Sequence, residues 1–133
     1  MIRVAFCSED TQHINAHFAQ SSVIVIYEFT EHSYQAVSEI NFNSLDSREE
    51  VKQTNRVGVK ASEEDDRVAQ RINAVKDCSI LYCNQIGGPA AARLIQHEIY
   101  PLKAEAETRI DEAADRLHRL LLKSPPRWLQ KKL

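Results

Sequence analysis

No apolar run in these 133 residues approaches the eighteen or so that a membrane-spanning helix requires. The opening MIRVAFCSED offers only the short stretch IRVAFC before it turns acidic, which is too little for the core of a signal peptide. The expectation is a protein that stays in the cytoplasm and has no membrane partner. A cationic excess is missing as well: 17 Lys and Arg stand against 19 Asp and Glu, for a formal net charge of −2. Binding through a phosphate backbone needs a positive surface that displaces counterions, so nucleic acid is excluded as the expected partner. Cysteine is sparse and odd in number. Cys7, Cys78 and Cys83 cannot all pair within the chain, and no C-x-x-C spacing occurs, so free thiols in a reducing compartment are expected.

The usual signatures of catalysis are also absent. The sequence contains no G-x-S-x-G, no P-loop, no G-x-G-x-x-G and no H-E-x-x-H. Metal-dependent nuclease chemistry needs inward carboxylates on the core strands, and IRVAFC and SILYC carry none. Neither nucleophilic catalysis nor carboxylate-metal nuclease chemistry is therefore expected.

What is present is an ordinary globular composition, 43% hydrophobic and 27% charged, at a length that suits one domain over 1–133. Residues 2–7 and 22–30 read as buried strands, the second with Val23, Val25, Tyr27 and Phe29 on one face and Ile24 and Ile26 on the other. Residues 34–42 alternate, which puts Tyr34, Ala36, Ile40 and Phe42 inward, and the short EHS link makes a hairpin with the strand before. A polar stretch, 43–61, reads as a long surface connection. Ser62 followed by EEDD, with Asp65 three residues on, caps a helix whose stripe is Val68, Ala69, Ile72 and Val75. Residues 78–86 form a further strand, and GGP turns it into a helix with Ala91, Leu94, Ile95 and Ile99 buried. A short strand over 101–106 and a helix from Thr108 to Lys123, with Thr108 and Asp111 as its cap, complete the order, leaving 124–133 as a C-terminal tail behind Pro125 and Pro126. The order β-β-β-α-β-α-β-α gives a mixed α/β sheet of five strands flanked by helices.

In such sheets ligands sit beyond the carboxyl ends of the strands, where loops converge and helix N-termini present free N–H groups. Cys7 ends the first strand, His13 and His17 lie in the loop after it, and Cys83 closes the fourth strand ahead of Gly87 and Gly88. If those strands are parallel neighbours, all of these share one edge. Imidazole, thiolate and a helix N-terminus together suit a soft metal or an anionic iron–sulfur species. Each element also has a plainer reading: buried free cysteine is a common small hydrophobe, and GGP makes an ordinary strand-to-helix turn. Cys78, at the opposite strand end, reads as structural; His32, His97 and His118 read as solvated side chains.

RVAF, then HINAHFAQSSVIVIYEF, then ILYCNQIGGPAAARLI and the ending SPPRWLQKKL resemble the NifX/NifY group of nitrogenase cofactor-biosynthesis proteins, which includes the vanadium-system relative VnfX. The proline-rich ending with its Trp-Leu pair is most similar to the NifX side of the group. The resemblance implies a ribonuclease-H-like fold. It also implies a non-enzymatic role: binding an iron–sulfur precursor of the cofactor, or finished FeMo-co or FeV-co, and passing it between the assembly scaffold and cluster-synthesising proteins. The group's H-F-G element, whose histidine is implicated in cofactor binding, falls on His17 and Phe18, which makes His17 the metal ligand and His13 its helper. Ala19 stands where the group usually has glycine, and Asn15 where it often has aspartate. An alternative within the same resemblance is an accessory protein that docks on apo-dinitrogenase or the scaffold through Trp128 and Leu129 without carrying the cluster.

Overall fold

A computed structural model describes residues 2–42, 63–105 and 108–123. The connection 43–61, the cap at Ser62, the end of the strand expected over 101–106, and the tail with Trp128 and Leu129 lie outside the described residues. The elements are β1 (Ile2–Ser8), a 3-10 turn (Phe18–Gln20), β2 (Val23–Phe29), β3 (Tyr34–Asn41), α1 (Glu63–Ala74), β4 (Ile80–Cys83), α2 (Gly88–Gln96), β5 (Tyr100–Lys103) and α3 (Ile110–Lys123). One sheet holds all five strands in the order β3-β2-β1-β4-β5. β1 runs antiparallel to β2 and parallel to β4, and β4 runs parallel to β5. This is the mixed five-stranded sheet expected from the order of elements, and it agrees with the ribonuclease-H-like fold that the family resemblance implies. No helix among the described residues is long and apolar enough to cross a membrane.

Both faces of the sheet are covered, which is why the central strands read as continuous apolar runs. Ala5, Cys7, Ile24, Ile26 and Leu81 meet Val68, Ile72 and Val75 of the α1 segment and Leu94 of α2 on one face. Val4, Phe6, Val25, Phe29 and Ile80 meet Ile110, Ala113, Ala114, Leu117 and Leu121 of α3 on the other. The buried stripe of α3 is the one its period predicts, and the two faces of β2 divide as expected.

The strand β3 departs from simple alternation. Ile26 pairs with Ser38 and Tyr27 with Ala36, so Val37 has no opposite residue and forms a bulge. An extra residue reverses the facing of everything beyond it. Tyr34 therefore packs on the α3 face while Ile40 and Phe42 pack on the other, and Ala36 is exposed rather than inward. Two helical positions are also corrected. Ala69 is exposed, because Arg71 takes its place on the α1 stripe, and Ile95 is 55% exposed while Ala90 is buried in its stead. His118 is half-buried rather than solvated: a ring nitrogen lies 3.1 Å from the Thr30 carbonyl and the ring packs 5.2 Å from Tyr34. At the cap of α3, the Asp111 carboxylate engages the Arg109 guanidinium at 3.2 Å.

The one-sided burial of α3 gives a direct test. Leu117→Ala should destabilise the fold by about 2–5 kcal/mol in urea unfolding, because it leaves a cavity against the sheet. Leu120→Ala, one turn-face away and 50% exposed, should stay within about 0.5 kcal/mol of the parent.

Candidate functional site

The parallel pairing of β1 with β4 extends beyond the strands into the loops. Asn84 N–H donates to the Ala16 carbonyl and Phe18 N–H to the Gln85 carbonyl, both at 2.9 Å, and His17 bridges Gln85 as an isolated parallel pair. Phe18 is wholly buried in the core, whereas His17 beside it is exposed. The buried ring and the two backbone bonds thus hold an imidazole at the rim of the sheet. There a cavity of about 280 Å³ opens between His17, Phe18, Ala19 and Gln20 on one side and Gln85, Ile86 and Gly87 on the other.

The floor of this cavity leads into α2. Gly87 is the N-cap, Gly88 the first helical residue, and Pro89 lies in the first turn, where its missing N–H costs nothing. Neither glycine has a positive φ, and a Cβ on Gly88 would meet nothing within 4 Å. The chain's own backbone does not require glycine here, and what glycine provides is an uncovered helix N-terminus beside the imidazole. Ala19, in the position of the group's glycine, likewise has no positive φ, so the turn accommodates a side chain without strain.

Other expected site residues lie elsewhere along the same edge. His13 belongs to a segment that pairs with Arg109, while Ile14 N–H donates to the Thr108 carbonyl at 2.8 Å. His13 Nδ1 sits 2.8 Å from Asp10 Oδ2. N–H groups of Gln12 and His13, together with the His13 ring, hold the Asp10 carboxyl well below the usual carboxylate range. Thr11 adopts a left-handed backbone, φ 67°, to close this turn, and Asn15 Oδ1 accepts a bond from Glu9 N–H. His13 and His17 are therefore held by different partners, and only His17 lines the cavity.

Cys7 and Cys83 follow one another across adjacent strands and are both wholly buried in the same core. Burial pushes the Cys7 thiol well up, with neighbouring Cys83 adding to the shift. Burial likewise pushes Cys83 up to about 11, and its Sγ lies 3.8 Å from the Leu102 carbonyl. Cys78, at the far end of β4, is pushed up to about 12 by the same cause. All three are free thiols packed as hydrophobes in this conformation. Among the described residues, no three His, Cys, Asp or Glu side chains come together to hold a metal ion.

The residue that sequence reasoning missed is Arg71. It is 1% exposed, yet it stands in the stripe 68, 71, 72, 75 at the helical spacing of a core position. Its Nε donates to Ser21 Oγ at 3.2 Å, Nη2 to the Ser21 carbonyl at 2.6 Å and Nη1 to the Arg67 carbonyl at 3.1 Å. The guanidinium also covers the Phe42 ring, 4.3 Å from its centroid. The only signal in the sequence was that stripe position, occupied by a charge.

A larger cavity of about 460 Å³ lies near the same edge, lined by Tyr82, Lys103, Glu105 and Arg116 among others. Ala113 of α3 also lines it, and it contains none of the expected ligands.

Residues 1–120 match the family model described as dinitrogenase iron-molybdenum cofactor. The chain belongs to this family. Within it the chain is similar to NifX of Sinorhizobium fredii, with 27% identity over 99% of this chain and 78% of the relative. It is 35% identical to NifY of Klebsiella pneumoniae over 97% of this chain, but spans only 49% of that longer protein. A solved structure, PH0822, shares the fold with a TM-score of 0.63 over 96% of this chain and 99% of its own, at 18% identity. The dinitrogenase iron-molybdenum cofactor family, in its NifX/NifY group, is thus where the His17 edge is to be interpreted.

The burial of the thiols makes a prediction of its own. At pH 8 a thiol-specific alkylating reagent should leave the native protein essentially unlabelled, and mass spectrometry should find all three cysteines modified after unfolding. Because the folded thiols ionise later than the unfolded ones, the stability they confer is complete below about pH 9 and falls as pH rises toward about 12. Unfolding midpoints measured between pH 8 and pH 11 should decline accordingly, and replacement of Cys78 by Ala should flatten that decline.

Proposed function

We propose that this protein binds an anionic iron–sulfur species, a precursor of the nitrogenase cofactor or the finished cofactor, at the His17 edge and passes it between assembly proteins without transforming it. Membership in the dinitrogenase iron-molybdenum cofactor family supports a place in nitrogenase cofactor biosynthesis. The observation that carries the reading is the pairing of an exposed imidazole with a helix N-terminus made bare by two glycines the backbone does not itself require. The imidazole supplies a bond to iron. The N–H groups and dipole of α2 supply attraction for the negative sulfide-rich body, worth about 0.3–1 kcal/mol where exposed.

One protein ligand is few for a resident cluster, which is ordinarily held by four thiolates. A cargo that must leave is better served by fewer bonds. His17 is the assigned ligand, Gly87 and Gly88 the cradle, and the recipients are a scaffold and cluster-synthesising proteins that offer additional ligands. Cys7, Cys83 and His13 make no contact with the cavity in this conformation, so the reading does not draw on them.

Anaerobic loading tests this. His17→Ala should lower bound iron several-fold while leaving the thermal midpoint nearly unchanged, since an exposed imidazole contributes little packing. Gly87→Ala should keep the fold at a cost of at most about 1 kcal/mol, since alanine can adopt the extended backbone of this N-cap without a clash, yet also load less, because Gly87 lines the cavity and a side chain there covers the helix N-terminus. Loaded protein mixed with excess apo-scaffold should surrender its iron stoichiometrically. Iron retained by His17→Ala at the parent level would count against the ligand assignment.

A further inference from the structure

We propose that Arg71 is the positioning residue of the His17 turn: its guanidinium fork clamps the end of that turn to α1 and so sets where the imidazole stands. The proposal rests on the reading of His17 as the cargo ligand. The chain of contacts is short. Gln20 N–H donates to the His17 carbonyl at 3.1 Å, closing the 3-10 turn. Ser21 follows as its C-cap, and Ser21 Oγ donates to the Phe18 carbonyl at 3.0 Å. Arg71 then takes Ser21 at two points, Oγ and the backbone carbonyl, while its third donor returns to the Arg67 carbonyl on its own helix.

Both ends of the turn are therefore fixed, but to different bodies. The His17 end is tied to β4 through Gln85, and the Ser21 end is tied to α1 through Arg71. Ser22, one residue further on, donates its N–H to Glu9 and accepts from Phe42 N–H, but the turn residue Ser21 itself is tied to α1 through Arg71. The geometry also distinguishes the fork from the charge. Two separate donors on rigid, coplanar nitrogens reach the two oxygens of one residue, which a lysine ammonium on a flexible stem cannot reproduce together with the bond to Arg67. The flat guanidinium also covers the Phe42 ring, which seals the fork from water.

The test uses the full chain with Arg71→Lys, Arg71→Met, Ser21→Ala and His17→Ala, each loaded anaerobically with ferrous iron and sulfide. Iron per chain, the optical and paramagnetic spectrum of the bound cluster, and amide hydrogen exchange at Gln20 and Ser21 are read in parallel. Arg71→Lys, which keeps the charge, should load several-fold less than the parent, give an altered spectrum at matched occupancy, and exchange these two amides at least several-fold faster. Ser21→Ala should show the same changes to a smaller degree, and it carries the test with Arg71→Lys should Arg71→Met fail to fold. Arg71→Lys with parent loading, spectrum and exchange would overturn the clamp. So would a loss of stability in Arg71→Lys with an unaltered spectrum, which marks Arg71 as structural only. Parent loading in His17→Ala would instead sink the reading on which the proposal rests, and that arm is scored separately.

Discussion

The parallel ladder between β1 and β4 is the constraint from which the rest of the edge follows. β1 lies at the centre of the sheet with an antiparallel neighbour on one side and a parallel one on the other. The chain leaving β1 turns back toward β2, while the chain leaving β4 crosses over toward β5. Two connections that depart in opposite directions from neighbouring strand ends leave a crevice between them, the position at which open α/β sheets bind their ligands. Here the crevice is narrowed by an added stretch of pairing, Ala16–Phe18 against Asn84–Gln85, which brings the imidazole to the helix N-terminus. A change in the β1–β4 register would separate those two features.

Holding a loop in that crevice demands an anchor on its far side, and the molecule uses a costly one. Burying a guanidinium carries a desolvation penalty of several kcal/mol, and well-packed apolar replacements of buried ionic groups are often neutral or stabilising. A leucine or methionine at 71 would complete the α1 stripe at less expense. The energetic case for arginine lies in what it reaches: three hydrogen bonds and an aromatic face that join α1, the His17 turn and Phe42 at one point. The stability of α1 against the sheet and the shape of the His17 turn are thereby coupled.

The fold was legible from periodicity because its strongest signals are local. The α3 stripe, the two faces of β2 and the hairpin each need only a few residues of pattern. What escaped notice involves contacts between distant segments. A bulge at Val37 is invisible in an alternating string, and it sends Tyr34 and Ile40 to opposite faces. Arg71 reads as a solvated charge until Ser21, fifty residues earlier, is placed beside it. His118 reads as exposed until the hairpin folds over it. At the site, the shared strand edge could be inferred from the order of elements, but not that His13 and His17 would be divided between Arg109 and Gln85. Backbone pairing made that division, and no spacing rule encodes it.

The placement of the thiols bears on the proposed reading of the His17 edge as a cargo site. Thiolates are the strongest ligands an iron–sulfur species can meet, and a protein that offered Cys7 and Cys83 together would compete with its own recipient. These two cysteines sit opposite each other at the ends of the strands that lead to the cavity, yet both face the apolar core. Burial pushes the Cys83 thiol up to about 11, which disfavours the thiolate that iron would bind. What lines the cavity is one imidazole, which on the proposed reading is an intermediate ligand for iron, beside a helix N-terminus that would contribute affinity without a covalent bond. Affinity assembled in this way is lost in steps rather than all at once. On the proposed carrier reading, the helix dipole would keep hold of the anion while an incoming ligand displaces the imidazole, and transfer would proceed by exchange on the edge instead of release into water.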